Sequence, residues 1–109
     1  MKPDKVLGML GLAKRAGKVD GGEFSAEKAV KTFQSRLILL AGDASDNTRK
    51  KFTDKASYRK IPVRIYADKE RLGKATGTGE RSVLSVNDEQ FAASLIKLLD
   101  DAADASERV

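Results

Sequence analysis

A pair of glycines followed by a helix is the part of this sequence best suited to binding chemistry. Gly21 and Gly22 precede residues 23–33, in which apolar residues recur at the spacing of a helix face. A helix N-terminus presents unpaired backbone N–H groups and the positive end of the helix dipole, which attract an anion such as phosphate. Glycine permits close approach because it has no side chain. An ordinary capped helix after a turn is the alternative. The candidate residues are Gly21, Gly22, Glu23, Phe24, Ser25 and Lys28.

Two further segments carry residues suited to phosphate. One is a polar and flexible loop before the last predicted strand, with the members Gly77, Thr78, Gly79, Glu80 and Arg81. The other follows the first predicted helix and would extend the positive surface next to Gly22; it comprises Lys14, Arg15 and Lys18. A simple mobile connection explains the loop equally well. Compensation of the helix dipole explains the basic residues equally well.

The distribution of charge favours a polyanionic partner such as a nucleic acid. The chain has 109 residues and a net charge of +5. Residues 1–81 hold 19 Lys and Arg against 10 Asp and Glu, whereas residues 82–109 hold 2 against 6. A basic body attracts a polyanion, although solubility alone also explains it. No apolar stretch approaches the ~18 residues of a membrane span, and no export signal is present. We therefore expect a cytoplasmic protein without membrane contact.

Catalysis, cofactor binding and metal binding are not expected. The sequence contains no cysteine and no histidine, which removes thiolate metal sites and the commonest general base at neutral pH. Gly17-Lys18 does not form a phosphate-binding P-loop, because Leu12 and Val19 replace the required glycine and hydroxyl residue. No carboxylates are spaced for acid–base work or for a calcium loop. We predict that the chain is not an enzyme.

Asp43 and a basic run complete the candidate residues. Asp43 follows the central predicted strand at its carboxyl end, where ligands often bind in open α/β sheets. Its carboxylate could order the glycine turn, accept a hydrogen bond from a base N–H, or cap its own loop. We favour the capping role. A solvated helix face is the default interpretation of the basic run, with a second nucleic-acid surface as the weaker one. That run comprises Arg49, Lys50, Lys51, Lys55, Arg59 and Lys60.

Alternating helix and strand patterns predict an α/β protein, a three-layer α/β/α sandwich around a mixed sheet of about four strands. The predicted helices are residues 3–16, 23–33, 46–59, 68–75 and a last helix beginning near Asn87. Gly17 is expected to end the first helix, Ser45 or Asp46 to cap the third, and Asp68 to open the fourth. The predicted strands are residues 18–20, 37–41, 63–67 and 82–86. Phe33 is expected to face inward, and Asn87 with Gln90 resembles a capping box. We expect one domain over residues 1–109, with frayed C-terminal turns and a monomeric state.

Three ordered stretches together resemble one protein family. They are Gly22-Glu23-Phe24-Ser25-Ala26-Glu27-Lys28-Ala29, then Leu37-Ile38-Leu39-Leu40-Ala41-Gly42-Asp43-Ala44-Ser45, then Leu72-Gly73-Lys74-Ala75-Thr76-Gly77. The family is the kink-turn-binding ribosomal-protein superfamily, whose archaeal member is the large-subunit protein L-seven-Ae. The segment from Asp43 to Lys51 is similar to the bacterial YlxQ-type branch. The resemblance covers about residues 5–99.

The resemblance implies binding to structured RNA, either ribosomal RNA or another RNA that contains a kink-turn, and a possible place on the ribosome. A kink-turn is a duplex bent sharply at an internal loop with tandem sheared G·A pairs. In the family, the helix start after the glycine turn meets the bent backbone and the G·A edges. The loop before the last strand covers the flipped-out nucleotides.

This sequence departs from the family at two positions of that helix start. Family members that bind kink-turns usually have Asn and Glu where Phe24 and Ser25 stand here. Phe24 suits stacking on a base or a hydrophobic staple, and Ser25 suits a single hydrogen bond or a cap. General RNA binding is therefore expected to survive better than standard kink-turn specificity. The alternative is a protein-interaction module of the same fold.

Overall fold

The computed structural model describes residues 4–107, with the side chains of residues 4–102. Pro3, which is predicted to begin the first helix, lies outside the described residues. The fraying predicted for the C-terminal helix concerns its last turns, whose side chains are also outside the described part of the chain. The helices are α1 (Lys5–Arg15), α2 (Glu23–Lys31), α3 (Asp46–Tyr58), α4 (Lys69–Ala75) and α5 (Glu89–Glu107). The strands are β1 (Val19–Gly21), β2 (Leu37–Leu40), β3 (Val63–Ile65) and β4 (Val83–Val86). Within this part of the chain, no helix has the length and apolar content needed to cross a membrane.

The four strands form one mixed sheet in the order β1-β4-β2-β3. β2 pairs with β3 in parallel, whereas β4 runs antiparallel to both β1 and β2. Every residue of β2 and β4 is buried, because both strands are covered on both faces. The predicted mixed sheet is confirmed, and the strand boundaries differ from the predicted ones by one or two residues.

Side-chain alternation along β2 divides the interior into two cores. Leu37 and Leu39 pack with α1, α4 and α5 on one face of the sheet. Ile38 and Leu40 point to the other face, where they pack with α2 and with Phe52 of α3. Successive strand residues point to opposite faces, so this continuous apolar run supplies both cores at once. The predicted three-layer α/β/α sandwich is therefore confirmed.

The loops that connect strands and helices lie at two opposite edges of the sheet, where the strands begin and end. The N–H of Gly22 donates to Val83, and the N–H of Ala41 donates to Ser82. The end of β1, the end of β2 and the start of β4 therefore meet at one edge, which we call the glycine edge. The helices α2, α3 and α4 all begin there. The far edge carries Lys18, where the N–H of Asn87 donates to its carbonyl oxygen.

The ends of α1 and α5 test two predictions from sequence. The N–H of Gly17 donates to Lys14, and that of Lys18 donates to Ala13, with Gly17 at φ 74°. This is the Schellman arrangement, so the predicted glycine stop is confirmed. The predicted capping box at Asn87 is wrong. Asp88 caps α5 instead, accepting from the N–H of Phe91 at 2.9 Å.

The end of α2 contradicts the predicted burial of Phe33. The helix ends at Lys31, and Phe33 lies beyond it with φ 61° and 67 % of its surface exposed. The apolar pattern predicts a helix two residues longer than the one observed, because the chain reverses at Phe33 into the left-handed region. Its N–H donates to Val30 at 3.3 Å, which closes the helix end.

Glu27 of α2 pairs with three lysines, of which Lys51 and Lys55 lie on α3 and tie the two helices together. Its carboxylate lies 3.0 Å from Nζ of Lys51 and 3.3 Å from those of Lys55 and Lys31. Hydrogen bonds from Lys51 and Lys55, with a smaller one from Lys31, lower the pKa of Glu27 from 4.5 to about 2, although burial opposes them. Part of the basic run on α3 is thus neutralised within the protein and is not the freely solvated face that its sequence suggests.

We expect Glu27→Gln to destabilise the fold at neutral pH and to lose this effect in acid. The folded pKa lies below the unfolded one, so the ion cluster contributes fully above about pH 4.5 and is lost as the pH falls toward about 2. The expected difference at pH 7 is about 1 kcal/mol after allowance for solvent screening. Urea unfolding of both proteins between pH 7 and pH 2 measures it. A difference that stays constant across this range would contradict the assignment.

Candidate functional site

The start of α2 has no side-chain cap. Gly22 occupies the N-cap position with φ 94° and ψ 161°, a conformation that is essentially restricted to glycine. The other described helices are capped by side chains, namely those of Asp4, Ser45, Asp68 and Asp88. The backbone N–H groups of the first turn of α2 are therefore left for an external acceptor. The predicted cap at Ser25 is wrong, since the N-cap is Gly22.

Phe24 is the most conspicuous apolar residue of this helix start. Its side chain is 83 % exposed, which excludes the hydrophobic staple of the two alternatives and leaves a free aromatic face. Lys28 is exposed one turn later and lines a shallow groove together with Phe24 and Thr32. The groove thus combines a ring that can stack with a cation that can meet a phosphate.

Arg81 lies across the end of β1. A Cβ atom added at Gly21 would come within 2.9 Å of Arg81 Nε and 3.2 Å of its Cδ. The missing side chain at Gly21 therefore lets Arg81 lie against the glycine turn. Nε of Arg81 is buried and has no hydrogen-bond partner among the described residues. The guanidinium of Arg81 therefore has an unused hydrogen-bond donor next to the uncapped start of α2.

Arg49 was interpreted from sequence as part of a solvated face, and the structure places it at the glycine edge. It lies in the first turn of α3, where one terminal nitrogen donates to the carbonyl oxygen of Ala44 at 3.3 Å. Its Nε is the only other buried side-chain nitrogen or oxygen without a partner in the described part of the chain. Nothing in the local sequence separates Arg49 from Lys50, because its burial depends on the fold of the preceding loop.

Glu23 joins the starts of α2 and α3. Thr48 Oγ1 donates to Glu23 Oε1 at 3.1 Å, and Ser45 Oγ donates to Thr48 Oγ1 at 2.9 Å. Thr48 is buried, and sequence reasoning did not identify it. This chain of hydrogen bonds fixes the spacing of the two helix N-termini. It also ties the carboxylate of Glu23 to the protein.

The loop after α4 is fastened to that helix, unlike the flexible connection predicted from sequence. Thr76 Oγ1 donates to the carbonyl oxygens of Leu72 and Gly73, and the N–H of Thr78 donates to Gly73 at 2.8 Å. The N–H of Arg81 donates to Lys69 at 3.0 Å. Gly77 takes the left-handed position after the helix, with φ 69°. Gly79 and Glu80 lie against α4 at Gly73.

The remaining predicted residues divide between the two edges. Asp43 lies at the glycine edge, where its Oδ1 accepts from the N–H of Lys69, the first residue of α4, at 2.8 Å; its carboxylate therefore closes the start of α4 and not its own loop. Lys14 and Arg15 occupy the last turn of α1, and Lys18 lies at the far edge, opposite Gly22. Lys18 and Gly22 thus flank the three residues of β1, and the extension of positive surface toward Gly22 stays a prediction.

Comparison with known proteins identifies the family of this chain. Residues 4–96 match the model of the Ribosomal protein L7Ae/L30e/S12e/Gadd45 family. The chain belongs to this family. Two relatives are each named RNA-binding protein YlxQ. The one from Bacillus subtilis (strain 168) is 45 % identical over 92 residues, which cover 84 % of this chain and 92 % of the relative. The one from Enterococcus faecium is 31 % identical over 96 residues, covering 88 % and 92 %.

Two solved structures share the fold of this L7Ae/L30e/S12e/Gadd45 family member. A protein with unknown function from Bacillus halodurans C is 40 % identical, with a TM-score of 0.87 over 90 % of this chain and 99 % of that one. The Giardia lamblia 15.5kD RNA binding protein is 15 % identical, with a TM-score of 0.74 over 93 % and 92 %, and shows the fold alone. The resemblance inferred from sequence, including the YlxQ-type branch, is confirmed. Neither the family description nor the relatives' names is that of an enzyme, as predicted.

We expect Gly73→Ala to destabilise the fold and displace the loop before β4. A Cβ atom at Gly73 would overlap the carbonyl oxygen of Gly79 and lie 3.1 Å from Cα of Glu80, and backbone cannot move away cheaply. The matched control is Gly8→Ala, because Gly8 lies within α1 with nothing inside 4 Å of its added Cβ. That control should raise stability by about 0.5–1 kcal/mol. Thermal unfolding compares the two, and equal stabilisation by both would contradict the packing described.

Proposed function

We propose that this chain binds structured RNA, a kink-turn or a related internal loop, at the glycine edge. The observation that carries the proposal is the juxtaposition of an uncapped helix start with an exposed aromatic ring and a partly unpaired arginine. Gly22 leaves the first turn of α2 open, Phe24 is 83 % exposed, and Arg81 lies against Gly21 with a buried, unpartnered Nε. A phosphate is complementary to the open helix start and to the arginine, and the face of a base is complementary to the aromatic ring.

The backbone of the RNA would meet the helix start. A phosphate placed on the first turn of α2 accepts backbone N–H groups at the positive end of the helix dipole. Arg81, which lies against Gly21, and Arg49, in the first turn of α3, supply charge-assisted hydrogen bonds from guanidinium groups. The bond from Thr48 to Glu23 restrains that carboxylate, which reduces its repulsion of the phosphate.

Phe24 changes how bases are recognised relative to other members of the family. A phenyl ring has no hydrogen-bonding groups, so it cannot read the edges of the sheared G·A pairs. It can stack on an unpaired base, and stacking accepts any base with a free face. The proposed recognition therefore depends on the bent shape and the flipped-out bases of the RNA more than on the identity of the G·A pairs.

The names of the two relatives support RNA as the partner class. Both are RNA-binding proteins, and both align along more than four-fifths of this chain. We propose ribosomal RNA or another RNA that contains a kink-turn, met in the cytoplasm by a single monomeric domain. Association with the ribosome is part of this proposal and is supported by the ribosomal proteins that the family description names.

Single alanine substitutions on α2 and α5 test the location of the site. Lys28→Ala should weaken binding to a kink-turn RNA and lower the slope of log affinity against log salt by about 1, since one phosphate contact is lost. Phe24→Ala should weaken binding by about fivefold or more, since one stacked base is lost. Lys97→Ala is the matched control, because Lys97 is an exposed lysine on α5, on the opposite layer of the sandwich.

Fluorescence anisotropy at two salt concentrations measures all three variants against the parent protein. Equal losses for Lys28→Ala and Lys97→Ala would sink the site assignment, because a general charge effect would then explain both. Absence of binding by the parent protein even at low salt would reject the function itself. The protein-interaction module would then become the leading interpretation.

A further inference from the structure

Two exposed aromatic rings lie near the ends of α2 and α3, away from the glycine edge. Phe33 follows α2 and is 67 % exposed, whereas Tyr58 is the last residue of α3 and is 85 % exposed. Arg59 lies next to both rings, with its guanidinium carbon 4.1 Å from the centroid of Phe33 and 5.8 Å from that of Tyr58. We call Phe33, Tyr58 and Arg59 the aromatic cluster.

The backbone at the aromatic cluster adopts conformations that normally favour glycine. Four described helices end with a residue in the left-handed region, and α1 and α4 use Gly17 and Gly77 there, as is usual. At the equivalent positions, α2 uses Phe33 with φ 61° and α3 uses Lys60 with φ 60°. Glycine would fit both positions without strain. An exposed phenyl ring and an exposed ammonium group are thus present at positions where stability alone favours glycine.

Positive charge surrounds the aromatic cluster. Arg36 approaches Phe33, with its Nη1 donating to the carbonyl oxygen of Phe33 at 2.9 Å. The Arg59–Phe33 contact separates two shallow depressions, and five cations but only two anions line them. The cations are Lys18, Lys31, Arg36, Lys55 and Arg59; the anions are Asp20 and Asp54. Asp20 accepts a hydrogen bond from Asn87, and Lys31 and Lys55 lie against Glu27.

We propose that the aromatic cluster is a second RNA-contact surface, which binds a single-stranded segment. Bases would stack on the open faces of Phe33 and Tyr58, and phosphates would meet Lys18, Arg36 and Lys60. Single-stranded RNA fits because it offers both a chain of stackable faces and a continuous negative charge. A folded duplex offers the charge without the exposed faces. This surface goes beyond the proposed kink-turn site and does not require it, since Lys18 lies at the far edge of the sheet.

The test titrates two labelled RNAs with the full-length protein. One is an unstructured oligouridylate of about ten nucleotides, within the usual range of single-strand site sizes. The other is a blunt-ended kink-turn hairpin without single-stranded tails. Phe33→Gly and Tyr58→Ala should each lower the affinity for oligouridylate by about fivefold or more, and leave hairpin binding unchanged. Phe24→Ala should do the reverse.

Stability measurements separate loss of the surface from loss of the fold. Phe33→Gly should keep or raise the thermal midpoint, because glycine relieves the left-handed backbone while the stacking ring is removed. Leu12→Ala is the matched control, since Leu12 is an apolar side chain of α1 that is 50 % exposed. It should change neither affinity.

Three outcomes would overturn the proposal. The parent protein would fail to bind oligouridylate at low salt, or Phe33→Gly and Tyr58→Ala would both bind it as the parent does. The third outcome is that Phe24→Ala lowers the affinity for both RNAs, which would mean that both bind at the glycine edge. Failure of hairpin binding alone, with oligouridylate binding intact, would reject the kink-turn proposal and leave this one standing.

Discussion

The pairing of β2 with β4 is the interaction on which the rest of the structure depends. Both strands are buried on both faces, so together they supply the centre of each core. Their antiparallel register, with Leu40 opposite Val83, brings the start of β4 beside the end of β2. On its other side β4 pairs antiparallel with β1, with Gly21 opposite Leu84. Arg81 therefore meets the glycine turn because of strand pairing, although 60 residues of sequence separate the two.

The glycine edge shows how stability is divided between the helices. Four helix starts are closed by their own side chains, and α4 receives a second carboxylate from Asp43. The start of α2 is left open, yet it is held firmly, because Glu23 is tied through Thr48 to α3 and Gly22 is tied to β4. An open but rigid helix start loses little entropy when a ligand supplies the missing acceptors. Absence of the cap therefore favours binding without loosening the fold.

The sequence predicted what depends on local pattern and missed what depends on tertiary packing. The buried run of β2, the glycine stop at Gly17 and the caps at Ser45 and Asp68 each follow from a few neighbouring residues. One signal for the packing at Gly73 is present in the sequence. A glycine within a short helix costs about 1 kcal/mol relative to alanine, so its presence there indicates a close contact. The loop that packs on it explains why it is present.

Other features had no signal in the sequence. Phe33 continues the apolar period of α2, but the helix ends two residues before it, and no local rule places a phenylalanine in the left-handed region. Arg49 resembles its lysine neighbours until the loop at Ala44 folds over it. Lys18 and Gly22 are four positions apart in the sequence but lie at opposite ends of β1. None of these outcomes follows from the residue types alone, because each depends on the path that the backbone takes.

The most direct test of the account compares two RNAs of equal length. One carries a kink-turn with tandem G·A pairs, and in the other these pairs are replaced by Watson–Crick pairs. The account predicts that the protein prefers the kink-turn by about tenfold or more, equivalent to about 1.4 kcal/mol, and that added salt weakens binding to both RNAs. Equal affinity for the two RNAs would contradict the account, because an open helix start beside Phe24 and Arg81 would then have no preference for a bent RNA.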